Sequence, residues 1–175
     1  MCEQKNNNIV LIGMMGVGKT AVGRLLAREL GYQFLDTDLE LEAVTGLKAK
    51  DVLRKYGKIR FYSEEALIIK KLADVKDTVI STGGGTLLPA ESALQLKQLG
   101  TVVWLTASAQ TIYDRVKRKK NRSFLPKQAT IETIAEMLAL REPHYAAMAD
   151  VTISVGGCDI ETIVKKILAK TSSLL

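Results

Sequence analysis

The chain has 175 residues, 47% of them hydrophobic and 25% charged, with a formal net charge of +6, which suits one globular domain that takes an anionic ligand. A single histidine excludes a multi-histidine metal site, and the two isolated cysteines, Cys2 and Cys158, argue against a disulfide framework. An aromatic content of 5% leaves little for base stacking, so no nucleic acid is expected as a partner, and no apolar run approaches the ~20 residues of a membrane span.

Residues 1–7 are polar and read as a disordered lead-in with no signal peptide, which points to the cytoplasm. Ile9–Ile12 is a short β-branched apolar run, the mark of a buried strand. Gly13-Met14-Met15-Gly16-Val17-Gly18-Lys19-Thr20 follows and fits G-x-x-x-x-G-K-[ST]. From about Gly18 to Leu30 the period turns helical, with Val22, Leu25, Leu26 and Leu30 on one face. Strand, glycine loop and helix is the context of a phosphate-binding loop. Glycines let successive N–H groups point into one cavity, and the positive end of the next helix faces the same place. Lys19 brings a charge to the β/γ-phosphates and Thr20 a hydroxyl to Mg²⁺. A turn that merely happens to be glycine-rich does not account for Lys-Thr beside three spaced glycines. Binding of a nucleoside triphosphate by residues 13–20 is therefore expected.

Gly31 caps that helix. Tyr32–Leu35 reads as a second strand ending in Asp36-Thr37-Asp38, and Leu39–Val44 as a short helix. Residues 48–73 hold two helical pieces split at Tyr56-Gly57, the second amphipathic through Phe61, Ala66, Leu67, Ile69 and Leu72. Thr78–Thr82 is a third strand running into Gly83-Gly84-Gly85, and Pro89 is a fitting first residue for the next helix, which Gly100 ends. Thr101–Leu105 is a fourth strand, with Trp104 as a core residue. Ala109–Lys119 is a helix that becomes basic, residues 121–129 a mobile loop, Ile131–Ala149 a long helix, Val151–Val155 a last strand and Ile160–Lys170 a last helix.

This alternation predicts an α/β domain, 1–175, with a central five-stranded parallel sheet, helices on both faces and a mobile lid at about 117–129. Ligands of such sheets sit at the carboxyl ends of the strands. The glycine loop, the Asp36–Asp38 pair and Gly83–Gly85 each follow a strand, so they should converge on one cleft. Asp36 and Asp38 are two apart at a strand end, where extended chain points both carboxylates the same way. One can hold Mg²⁺ and the other can orient or deprotonate an acceptor hydroxyl; the competing reading is that they cap the Leu39 helix. Gly83–Gly85 offers bare N–H groups or simply a tight turn. Arg122 follows the basic run Lys117–Lys120 and is either part of a solvated face or a lid arginine over the triphosphate. Arg141, in a largely apolar helix, needs an anionic partner: Glu142, Glu136 or a substrate carboxylate. His144 reads as a helix-end surface residue.

Together these residues resemble the shikimate kinase family, of the nucleoside monophosphate kinase-like P-loop fold, over nearly the whole chain. The matching pieces are residues 13–20, Asp36-x-Asp38 with Leu41-Glu42, Gly83–Gly85 and Arg141-x-Pro143-x-Tyr145, with a weaker match at Arg122-Ser123-Phe124-Leu125. The resemblance implies an ATP- and Mg²⁺-dependent phosphorylation of the 3-hydroxyl of shikimate, a small anionic substrate, in aromatic amino acid biosynthesis, by a monomeric enzyme. It assigns β/γ-phosphate to Lys19, Mg²⁺ to Thr20 and, through water, to Asp36, and the substrate hydroxyls and the base role to Asp38. Gly84 gives a backbone N–H to the substrate, with Gly83 and Gly85 beside it. Arg141 pairs with the substrate carboxylate, Arg122 is the lid arginine and Arg115 packs on adenine. Phe61 belongs to the substrate-binding helix. One departure stands in that helix: where the family reads Gly-Glu-x-x-Phe-Arg-x-x-Glu, this chain has Gly57-Lys58-Ile59-Arg60-Phe61-Tyr62-Ser63-Glu64-Glu65. Tyr62 replaces an arginine that meets the carboxylate, with Lys58 on the same face and Arg60 turned away. The leading reading is a shikimate kinase. The alternatives are a kinase of another polyol or hydroxy acid, such as a quinate-like or gluconate-like acceptor, and a nucleotide-binding protein that has lost its substrate.

Overall fold

Asn8–Ile12, buried along its whole length, is strand β1 at the centre of the sheet. The computed structural model describes residues 7–83, 89–118 and 129–174. The other strands are β2 (Gln33–Asp36), β3 (Thr78–Ser81), β4 (Gly100–Thr106) and β5 (Val151–Ser154), in the order β2-β3-β1-β4-β5. Every pairing is parallel, so the carboxyl ends open on one rim. The register brings Asp36 level with Ser81, and Ser81 level with Leu11, which sets the end of β2 at the same height as the start of the glycine loop, one strand away.

Among the described residues the helices are α1 (Lys19–Leu30), α2 (Thr37–Thr45), α3 (Ala49–Lys71), α4 (Ala90–Leu99), α5 (Ala109–Lys117), α6 (Ile131–Met148) and α7 (Ile160–Thr171). None is long and apolar enough to cross a membrane. They cover both faces, and β1 shows why its sequence is a continuous apolar run. Ile9 and Leu11 join the cluster with Leu26 and Ile163, whereas Val10 and Ile12 join the one with Ile69, Leu96 and Tyr145. A third cluster, Leu41, Ala49, Val52, Phe61 and Ile68, holds α2 against α3 away from the sheet.

Several boundaries differ from expectation for local reasons. The two pieces expected over 48–73 form one helical run broken at Gly57, whose φ of 78° and ψ of 177° lie where glycine is favoured. Leu67, expected on the buried face, is 55% exposed. It stands six residues from Phe61, about 240° round the helix, while Glu64, Glu65, Ile68 and Ile69 face inward. Pro89 is extended (φ −79°, ψ 129°) and precedes α4 instead of starting it. Gly100 closes α4 and also opens β4, where its bare α-carbon passes close to the Asn8 carbonyl. Trp104 is only half-buried, at the edge of the core. Of the lead-in expected over 1–7 and the lid expected at about 117–129, residues 1–6 and 119–128 lie outside the described residues.

Candidate active site

The loop from β1 to α1 is shaped by what surrounds it. At Gly16, with a φ of 83°, a β-carbon would come within 2.7 Å of Val116 Cγ2, so α5 backs directly onto the loop. Gly18 caps α1 in a left-handed conformation, and among the described residues no side chain caps that helix. Its first-turn N–H groups are thus left for a ligand, at the positive end of the helix dipole. Met14 points away from the rim into the core, and Val17 is buried beside it, so these two contribute backbone to the loop. Met15 is half-buried against the same cluster.

Lys19 is 8% exposed and curls back over the loop, its Nζ donating to the carbonyls of Gly13 at 2.7 Å and Met14 at 3.2 Å. Burial lowers its pKa to about 8, against the opposing pull of the Asp38 and Asp36 carboxylates, and the Arg141 guanidinium lowers it further. Thr20 donates its hydroxyl to Asp36 Oδ2 at 2.8 Å.

The Asp36–Asp38 pair does not lie on one extended stretch, as the alternation argument expects. Asp36 ends β2 and caps α2, which begins at Thr37, and its Oδ1 accepts from the Asp38 N–H at 3.0 Å. The capping reading is correct, with Asp36 as the cap and Asp38 in the first helical turn. The two carboxylates still act on each other. Burial first, then the neighbouring Asp36 charge, pushes Asp38 up to about 6, and Lys19 opposes the shift. Among the described residues no group of three or more His, Cys, Asp or Glu side chains could hold a metal ion. The Thr20 hydroxyl and Asp36 carboxylate are a two-oxygen set, fitting a hard cation that takes its remaining ligands from phosphate and water.

At the end of β3 the Gly83 N–H donates to Thr37 Oγ1 at 2.9 Å. That group, expected as a bare donor, instead ties the strand end to α2. Gly84 and Gly85 lie outside the described residues, as does Arg122.

Arg141 reaches the loop from α6, with its Nη1 3.7 Å from Met14 Sδ. It sits within electrostatic reach of Tyr145, Lys19 and Tyr62. The carboxylates weighed as its partners, Glu136 and Glu142, are exposed, and so is His144. Tyr62 is half-buried, its hydroxyl pushed up in pKa by burial and by Glu65. Its ring meets Phe61 edge-on with centroids 5.6 Å apart. Phe61 itself is core, behind the cleft wall. Arg60 pairs with Glu64 one turn along, and Lys58 is exposed just beyond the Gly57 break.

Arg115 donates to the Val17 carbonyl at 2.8 Å and to the Val155 carbonyl at 3.1 Å, joining the loop to the end of β5. Beside it a cavity of about 380 Å³ runs from Gly16 and Gly18 past Arg115 and Arg118 to Cys158 and Ile160. Lys19, Thr20, Asp36, Asp38, Arg141 and Tyr62 are therefore gathered on one side of the loop, and Arg115 stands on the other. Sequence reasoning missed Thr37, Arg118, Cys158 and any function for Tyr145. Arg118 could have been found as the i+3 neighbour of Arg115 and Tyr145 as the i+4 neighbour of Arg141; Cys158 had no signal in the sequence.

A family model described as shikimate kinase matches residues 15–172. The chain is 45% identical over 161 residues to the shikimate kinase of Pelotomaculum thermopropionicum, covering 92% of this chain and 93% of that relative. The structure of the Acinetobacter baumannii shikimate kinase in complex with shikimate is similar at a TM-score of 0.90 and 36% identity, over 98% of this chain and 95% of that one. A gluconokinase from Sinorhizobium meliloti, 20% identical with a TM-score of 0.65 over 97% of this chain and 93% of that one, shares the fold alone.

Proposed function

The chain belongs to the shikimate kinase family, and from that premise we infer that it transfers the γ-phosphoryl group of ATP to the 3-hydroxyl of shikimate. The observation that carries the reading is the meeting of charges at the glycine loop, where Lys19, a phosphate cation, is in electrostatic reach of both the Asp38 carboxylate and the Arg141 guanidinium.

The residues divide the reaction as follows. The uncapped N–H groups of α1 and the backbone of residues 13–18 take the phosphates, and Lys19 leaves the Gly13 and Met14 carbonyls for β/γ-oxygens. The cavity beside Arg115 takes the base end of the nucleotide. Thr20 and, through water, Asp36 hold Mg²⁺, which supplies neutralising charge to the phosphates when bound. Asp38 accepts the proton of the attacking hydroxyl, and a carboxyl raised to about 6 is ionised at neutral pH yet more basic than an ordinary aspartate. Arg141 pairs with the substrate carboxylate, with the Tyr62 hydroxyl beside it where relatives carry an arginine. The roles that the resemblance assigns to Gly83, Gly84, Gly85 and Arg122 are proposed with these, except that the Gly83 N–H is engaged by Thr37.

The test is coupled ADP release with shikimate, quinate and gluconate as acceptors. Shikimate-dependent release far above the other two is expected. A gluconate preference, or ATP binding without acceptor-stimulated turnover, overturns the reading. The first of those outcomes is the less favoured, because the gluconokinase likeness carries the fold alone.

A further inference from the structure

Arg141 and Tyr145 are four residues apart on α6, so their side chains share a face, and they straddle Pro143. Tyr145 is 2% exposed, and its ring packs on Trp104 of β4 with centroids 5.9 Å apart. It is also a member of the cluster containing Val10, Ile12 and Ile69. Its hydroxyl is the polar tip of an otherwise apolar side chain, and buried hydroxyls need a partner. The Arg141 guanidinium, one turn back on the same face, is close enough to that hydroxyl to draw its pKa down against the upward push of burial. On its loop side the same guanidinium meets Met14 Sδ at 3.7 Å, and Met14 is 1% exposed. The arginine is thus gripped at both ends by groups anchored in the core, although its own α6 neighbours Leu140 and Glu142 face solvent. A long side chain held this way gives up its rotamer freedom on folding and not on binding substrate. Bidentate pairing with a carboxylate requires the planar guanidinium in one orientation.

We propose that Tyr145 is a positioning residue for the acceptor: its hydroxyl, fixed by the core and by Trp104, holds Arg141 in the orientation that receives the substrate carboxylate. This rests on Arg141 being the carboxylate anchor. It acts through Arg141 alone and touches neither the phosphates nor the reacting hydroxyl.

The experiment is steady-state kinetics with shikimate and ATP on Tyr145→Phe, Arg141→Ala and the double variant, with Tm measured for each. Tyr145→Phe keeps the ring and removes only the hydroxyl. It should raise KM for shikimate about 10- to 100-fold, the scale of one hydrogen bond to a charged group, with KM for ATP and Tm close to wild type. In the Arg141→Ala background the same change should do nothing further, because the two effects run through one side chain. An unchanged KM for shikimate in Tyr145→Phe overturns the proposal, and so does an equal penalty with and without Arg141. A lowered Tm with both Michaelis constants rising together shows a packing role only and overturns it as well. If Arg141→Ala itself leaves KM for shikimate unchanged, the anchor reading fails first and the positioning role falls with it.

Discussion

On the phosphate-donor side of the cleft, backbone carries the geometry. Residues 13–18 lie between a fully buried strand and an uncapped helix, backed by α5, and their orientation follows from φ angles and strand register. On the acceptor side the surfaces are side chains from different helices: Asp38 on α2, Tyr62 on α3 and Arg141 on α6. α2 and α3 pack on each other through the separate cluster around Leu41 and Phe61, while Ile69 of α3 and Tyr145 of α6 pack on the Val10 and Ile12 face of the central strand. A backbone cradle tolerates little change, because each N–H is aimed by its neighbours. A side-chain wall can exchange one member for another, as proposed for Tyr62 at the position where the family pattern reads arginine. The two sides meet at Lys19, on which the charges of both Asp38 and Arg141 act.

The largest effect should come from Asp38→Asn, which removes the proposed base and keeps the shape. Turnover should fall on the order of 10³-fold while ATP affinity stays within about threefold. Near-normal turnover would move the chemistry off α2. Next is pH. With Asp38 near 6 and Lys19 near 8, kcat/KM for ATP should be bell-shaped. Below about 6 the base is protonated and the rate falls about tenfold per pH unit; above about 8 Lys19 loses its charge and the rate falls again. A flat profile between pH 5 and 9 would mean that neither group acts. Gly16→Ala tests the rigidity of the donor side. Its new β-carbon meets Val116 at a positive φ, so a loss of about 2 kcal/mol is expected, or a drop in Tm of ~4–8 °C. Tyr62→Arg tests the adaptability of the acceptor side and should lower KM for shikimate by about 3- to 10-fold, a second guanidinium being added for the carboxylate. An unchanged or higher KM would show that the tyrosine is no deficit beside Arg141.

The order and type of the elements were legible because each has a local cause. The apolar run of β1 and the change of period after Lys19 mark strand and helix, and Gly57 marks the break in α3. Where expectation went wrong, a contact from elsewhere intervened. The Asp36 side chain turned to cap its own helix, which moved the start of α2 back to Thr37 and took Asp38 out of the extended stretch. The Gly83 N–H is taken by Thr37, the first residue of α2, 46 positions away in the chain. Leu67 was placed inward by counting apolar residues, whereas the turn angle from Phe61 puts buried glutamates there instead.

By itself, the sequence determined that this protein has a parallel α/β fold with a phosphate-binding loop, since strand, glycine spacing and Lys-Thr lie within one short stretch whose conformation is set by its own residues. Only the tertiary structure decided what that loop faces. Arg141 lies 127 positions from Met14 yet touches it, and Tyr145 holds the same arginine from the core. Lys19 and Asp38 shift each other's protonation because burial brings both out of water. Such properties depend on distance and on exclusion of solvent, and neither exists until the helices are packed on the sheet.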